Sequence, residues 1–228
     1  MTLLYCFDNF FKDPDAVREY GLGLEYKTRE ESGIFPGSRT DPMHKVDPEF
    51  YDRATDNMLT MIHGNGLDWC VRMNFQQIWI YSDDKENNLN KGWVHKDDSH
   101  MALVVYLDPN PDPDSGTSFY SLKKGMEKAP RNTAELINSF FNYKSSPDDI
   151  VEYEKELLFN NSQFDKTSEI KNVYNRIIIY DASTYHAQSN CWSPDGMRFT
   201  MVAFFNCLTP REERSCTFQG IGHPASLY

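Results

Sequence analysis

The chain has 228 residues, of which 39% are hydrophobic and 14% aromatic, and a formal net charge of −11. That length suits one sizeable core and is short for two, so residues 1–228 are expected to form a single domain. The composition excludes a disordered chain, no apolar run approaches the ~20 residues of a membrane helix, and so acidic a surface disfavours nucleic acid as a partner.

Leu3 to Phe7 reads as a strand. The N-terminus has no basic flank and meets Asp8 at once, which argues against a signal peptide and for a cytoplasmic location. Asp13-Pro14 opens a helix, with Asp as N-cap and Pro at its first position, and Gly21 and Gly23 end it. Glu31 to Asp41 reads as a loop. Asp47-Pro48 opens a second helix, whose apolar positions Phe50, Tyr51, Ala54, Met58 and Ile62 keep helical spacing until Gly64 and Gly66.

From there the pattern is of strands. Val71 to Tyr81, Trp93 to Asp97, His100 to Leu107 and Thr117 to Leu122 are predicted strands, separated by the polar loop 83–91 and the turn-forming stretch Pro109 to Gly116. Lys123 to Asn172 breaks this rhythm and is predicted to be a helical insertion. Within it, Asn132 with Glu135 resembles a capping box, and Ser146-Pro147-Asp148-Asp149 is a helix start. Arg176 to Tyr180 and Phe199 to Phe205 return to strand. The expected fold is mainly β with flanking helices: an antiparallel sandwich or jelly roll packed by helices on its outside. The five cysteines (Cys6, Cys70, Cys191, Cys207, Cys216) have no CxxC spacing and are expected as free, buried thiols.

The stretch Gly92-Trp93-Val94-His95-Lys96-Asp97-Asp98 carries the first chemical signal. In an extended segment alternate side chains share a face, so His95 and Asp97 point together and Lys96 points away. An imidazole and a carboxylate on one face are two-thirds of a metal site. Of the other histidines, His63 falls at a helix end, His44 and His223 lie in loop-like surroundings, and His100 has the wrong parity. His186 differs: it follows the apolar strand Ile177-Ile178-Ile179-Tyr180 and a short turn, where a side chain would be held at a barrel mouth. Arg198 then opens an apolar strand, where its charge is costly unless it meets an anion. Thr200 lies on the same face with a hydroxyl to add.

Taken singly, each residue has an ordinary alternative: a surface His–Asp hydrogen bond, a satisfied core histidine, an ion pair for Arg198. Their order along the chain is more specific. His95-x-Asp97, then His186, then Arg198-x-Thr200 resembles the iron(II)/2-oxoglutarate-dependent dioxygenases, whose fold is a distorted double-stranded β-helix. Residues 102–108 followed by Gly116-Thr117-x-Phe119, and Asn175 to Tyr180 leading to His186, are similar to elements of the prolyl-hydroxylase-like branch. Phe7-Asp8-Asn9-Phe10 and Phe35-Pro36-Gly37-x-Arg39 are similar to uncharacterised phage and marine-bacterial members, so a phage-encoded chain in a host cytoplasm is one expected setting. That branch often has an aromatic three residues before the first histidine, where this chain has Gly92.

The resemblance implies iron(II) held by His95, Asp97 and His186, leaving three adjacent positions open. It implies 2-oxoglutarate as co-substrate, its far carboxylate held by Arg198 with Thr200 and with Tyr81 in contact, and dioxygen as the other reactant. The products are succinate, carbon dioxide and a hydroxylated peptidyl residue or small metabolite. Asp97 points away from halogenation, because related halogenases replace this carboxylate with a small residue. Trp93, Asp98 and Tyr185 are candidates to line the substrate pocket. Two other readings compete: a catalytically silent jelly-roll binding or assembly module that retains the metal site, and a cupin-type metalloenzyme without 2-oxoglutarate, which leaves Arg198 and Thr200 unexplained.

Overall fold

The computed structural model of the chain describes residues 4–28, 37–63, 67–126 and 146–210. In chain order its elements are β1 (Leu4–Phe7), α1 (Pro14–Leu22), β2 (Gly37–Arg39), α2 (Met43–Val46), α3 (Pro48–His63), β3 (Leu67–Trp79), a 3-10 turn at Asn88–Asn90, β4 (Met101–Tyr106), β5 (Gly116–Leu122), α4 (Pro147–Ser162), β6 (Phe164–Lys171), β7 (Ile177–Asp181), β8 (Tyr185–Gln188) and β9 (Met197–Pro210). The strands form a major sheet in the order β1-β7-β4-β9-β3-β2 and a minor sheet in the order β6-β5-β8. All pairings are antiparallel. This is the jelly roll that the strand pattern predicts.

Alternation along the central strands divides the core into two layers. Phe75, Leu103, Val105, Ile177, Ile179, Phe199, Met201 and Phe205 point outward and pack with Tyr51, Ala54 and Met58 of α3. Each fully buried side chain of this size contributes on the order of 1.5–3 kcal/mol. Helix α1 approaches through Gly21, where a Cβ would stand 2.6 Å from Phe75 Cδ1 and 2.9 Å from Phe199 Cζ. The inner layer, between the sheets, contains Ala102, Tyr106, Ile178 and Tyr180 with Phe119 from β5. Both long helices begin on aspartate or serine caps. The Asp47 carboxylate accepts from Phe50 N (2.9 Å) and from the Tyr20 hydroxyl (3.0 Å), tying α3 to α1, and Ser146 Oγ accepts from Asp149 N (3.2 Å) to start α4.

Several local expectations need correction. Gly37 to Arg39, predicted as loop, is a strand because it pairs with Gln76 to Ile78 of β3, and His44 lies on α2 rather than in a loop. Trp93 to Asp97 is not a strand; only His95 forms an isolated bridge, to His186. The segment 123–172 is not wholly helical, since β6 lies within it and pairs along the whole of β5. Asp165, Lys166, Glu169 and Lys171 gave it a loop-like composition, which is how an exposed sheet edge often reads. The capping box at Asn132 and Glu135 lies outside the described residues, as do His223 and Cys216. Cys70 and Cys191 are buried and, among the described residues, form no disulfide, whereas Cys6 is exposed.

Candidate metal centre

The site lies where the minor sheet is extended by the segment around His95. His95 N donates to His186 O (3.0 Å) and His186 N to His95 O (2.9 Å), so the two histidines face each other across an antiparallel pair. Asp97 N reaches Ala182 O at 3.0 Å, which carries the extended backbone two residues further. Although this segment is not a regular strand, it keeps the alternation. His95 and Asp97 point inward, while Lys96 points outward and sets its ammonium 4.2 Å from the Tyr185 ring.

The three side chains converge. Asp97 Oδ2 is 3.3 Å from His186 Nε2, and Asp97 Oδ1 is 3.6 Å from His95 Nε2. One ligand atom from each residue lies within 4.8 Å of the others. Each imidazole also donates Nδ1–H to a carbonyl two residues back, His95 to Trp93 O (2.8 Å) and His186 to Thr184 O (2.9 Å). Such bonds fix the tautomer and leave both Nε2 lone pairs facing the shared space. Burial would raise the Asp97 carboxyl, but the His186 and His95 rings outweigh it and hold it well below the usual carboxylate range. Two imidazole nitrogens and a carboxylate on one side of a common centre are a donor set that fits octahedral iron(II).

The neighbouring wall belongs to the major sheet. Thr200 stands opposite Tyr106 on β4 and Gln76 on β3, and Arg198 lies one step along the same face of β9. Arg198 is 3% exposed; its Nη1 donates to Gly116 O (3.1 Å), and its guanidinium lies over the Tyr106 ring at 5.3 Å. Among the described residues, its Nε and the Thr200 hydroxyl have no hydrogen-bond partner. Among the described residues Arg198 makes no ion pair. Asp108, whose carboxyl feels the guanidinium, directs its oxygens to Phe199 N (2.8 Å) and Asn172 Nδ2 (3.1 Å). A buried cation and a buried hydroxyl, both with unused donors, fit an anionic ligand.

The other candidates fall elsewhere. Trp93 is buried with Leu89, Tyr153 and Leu157 under α4, and Tyr81, partly buried, packs against the same group. Tyr185 is on the face of β8 opposite His186 and packs on Phe164 at 4.8 Å. Asp98 is exposed beside Asp97. Four residues near the site carried no legible signal. Tyr180 packs its ring 4.8 Å from that of His186. Arg39 donates to Gln76 Oε1 (3.3 Å) and acts on His95 through its charge. Asn160 and Asn161 bond the backbone before His95, as described below. Gly92 has a steric reason for departing from the aromatic seen in the similar branch: a Cβ there would meet Gln188 Cγ at 2.7 Å and its backbone N at 2.8 Å.

This fold is that of the iron(II)/2-oxoglutarate-dependent oxygenases. HygX from Streptomyces hygroscopicus, solved with nickel and 2-oxoglutarate, is similar at 11% identity over 90% of this chain and 83% of its own, with a TM-score of 0.54. The epimerase SnoN, solved with Fe3+, α-ketoglutarate and nogalamycin RO, is similar at 11% identity over 91% and 81%, TM-score 0.53. The Fe(II)/α-ketoglutarate-dependent dioxygenase TqaL is similar at 12% identity over 89% and 82%, TM-score 0.50. The chain itself belongs to DUF6445, a family of unknown function whose model matches residues 1–191. No curated protein matches it. Among the described residues no helix is long and apolar enough to cross a membrane.

Proposed function

We propose that the chain is a single-domain oxygenase dependent on iron(II) and 2-oxoglutarate. His95, Asp97 and His186 would hold the metal, and Arg198 with Thr200 would hold the far carboxylate of 2-oxoglutarate. The observation that carries this reading is the pairing of a convergent His–Asp–His cluster with a buried arginine whose Nε has no partner, on the facing wall. When bound, the metal and co-substrate supply an oxidation that uses dioxygen, releases succinate and carbon dioxide, and hydroxylates a substrate C–H bond.

The chain's own part is to bind and orient. The Nδ1 bonds to Trp93 O and Thr184 O keep both imidazoles in the ligating tautomer before metal arrives. Asp97 adds the negative charge that favours a cation, and no small residue leaves room for a halide in its place. Arg198 offers a dry, fixed guanidinium, which recognises a carboxylate more strongly than a hydrated one would. Tyr106, bonded to Thr117 at 2.8 Å, braces that guanidinium from below. The substrate would be a peptidyl residue or a small metabolite. The hygromycin B seen in HygX is in keeping with the second.

Anaerobic addition of iron(II) and 2-oxoglutarate should produce the visible charge-transfer band of the chelate. Admitting air with a screen of candidate peptides and metabolites should then release succinate. A wild-type protein that gives no band at saturating iron(II) and 2-oxoglutarate defeats the proposal.

A further inference from the structure

Among the described residues, the segment before His95 is bonded on one side by β8 and has no strand on its other side. Gly92 N reaches Gln188 O at 3.1 Å and His95 N reaches His186 O at 3.0 Å, which ties this side to β8. On the outer side, the polar groups of Gly92 and Val94 meet the C-terminal turn of α4. Asn161 Oδ1 accepts from Val94 N (2.8 Å), and Asn161 Nδ2 donates to Gly92 O (2.9 Å). Asn160 Nδ2 donates to Val94 O (3.0 Å) and to Asn161 Oδ1 (3.1 Å). A side-chain amide presents one donor and one acceptor in a plane, as a backbone peptide does. Asn161 therefore pairs with Gly92 and Val94 as a neighbouring strand would.

We infer that Asn161, seconded by Asn160, is a positioning residue for the metal centre: it replaces the missing strand and fixes the backbone from which His95 projects. This rests on the reading of His95, Asp97 and His186 as metal ligands. Asn160 is 4% exposed, and Val94 between the two amides is fully buried, so water is a poor substitute for either bond. The same backbone supplies Trp93 O, the acceptor that orients His95 Nδ1. Loosening it disturbs both the placement and the tautomer of one ligand. Helix α4 is thus part of the metal site's support, although none of its side chains belongs to the His–Asp–His cluster.

The test uses the full chain and iron(II) alone, added anaerobically and followed by calorimetry, with amide exchange of Val94 measured in the metal-free protein. Asn161→Ala should weaken iron(II) binding about 10- to 100-fold, the range found when a partner of a metal ligand is removed, and should speed Val94 exchange. Asn160→Ala, which removes one bond to Val94 O, should do the same to a smaller extent and serves if the first variant does not fold. Glu154→Ala is the control. It cuts the tether from α4 to Asn88 Nδ2 (2.9 Å) without touching the His95 segment, and should leave iron(II) affinity unchanged. Unchanged affinity in Asn161→Ala despite faster Val94 exchange overturns the inference, as does an equal loss in Glu154→Ala. A wild-type protein that binds no iron(II) defeats the metal reading itself and this inference with it.

Discussion

Tyr106 and Thr200 stand opposite each other on β4 and β9, yet only the tyrosine hydroxyl has found a partner. Tyr106 bonds Thr117 Oγ1 at 2.8 Å, while the Thr200 hydroxyl, 1% exposed, faces the inner layer with nothing to bond. A buried, unpaired hydroxyl is a cost that a folded chain carries for a reason outside its own stability.

Thr200→Val should therefore make the ligand-free protein more stable, by on the order of 1 kcal/mol, because it removes the orphan hydroxyl and keeps the shape. The same change should weaken 2-oxoglutarate binding. Melting temperatures with and without 2-oxoglutarate check both halves. A variant destabilised in both conditions would show that the hydroxyl has a structural partner.

Arg198→Ala should raise the 2-oxoglutarate requirement far more than the iron(II) requirement, since its proposed role sets its charge against the co-substrate and, among the described residues, its one hydrogen bond is from Nη1 to Gly116 O. Separate titrations of the two, read by succinate release, make the comparison. Equal rises in both would mean that Arg198 supports the fold and not the ligand.

His186→Ala and His95→Ala should each abolish iron(II) binding, the first more cleanly because its side chain is 7% exposed against 26% for His95. Calorimetry with iron(II), followed by a succinate assay, checks this. Succinate release at the wild-type rate in either variant would refute the ligand assignment.

Asp47 gives a pH dependence whose sign is fixed by its surroundings. The Phe50 N–H, with help from Tyr20 and against a partial effect of burial, holds its carboxyl below the usual carboxylate range. A group depressed in the folded state stabilises above its unfolded value, about 3.9, and that contribution fades as pH falls through the folded value. Asp47→Ala should cost about 1 kcal/mol at pH 7 through loss of the α3 cap. The gap in melting temperature between variant and wild type should narrow as pH falls below the unfolded value of about 3.9. A gap that stays constant down to pH 2 would rule out the charge as its source.

Much of this molecule is legible from its amino acids. The caps at Asp13 and Asp47 and the apolar alternation of 71–79, 101–106, 177–181 and 199–205 mark those elements because local chemistry and burial agree there. The His95–Asp97 pair and Arg198–Thr200 share faces for the same period-two reason. What escaped depends on partners remote in sequence. Gly37 to Arg39 and Phe164 to Lys171 are strands only because β3 and β5 offer edges to them, and nothing in their own composition says so. Trp93 packs under α4 and Tyr185 against Phe164, placements that standing beside a ligand in sequence does not reveal. Asn160 and Asn161 are polar residues at a helix end, and only the fold gives them a task. Deleting 123–172 would remove β6 and both asparagines.

The pairing of β3 with β9 has a temporal consequence. Phe75 meets Met201, and Gln76 meets Thr200, across more than a hundred intervening residues. Contacts this distant raise the contact order and slow the search for the native topology. On the ribosome the wall that bears Arg198 cannot form until the chain has been made past residue 200. His95 and Asp97 will by then have waited about 90 residues for His186. A metal ion bound to that early pair would meet an incomplete coordination shell, so assembly of the proposed centre would follow the synthesis of β9, after both sheets have closed.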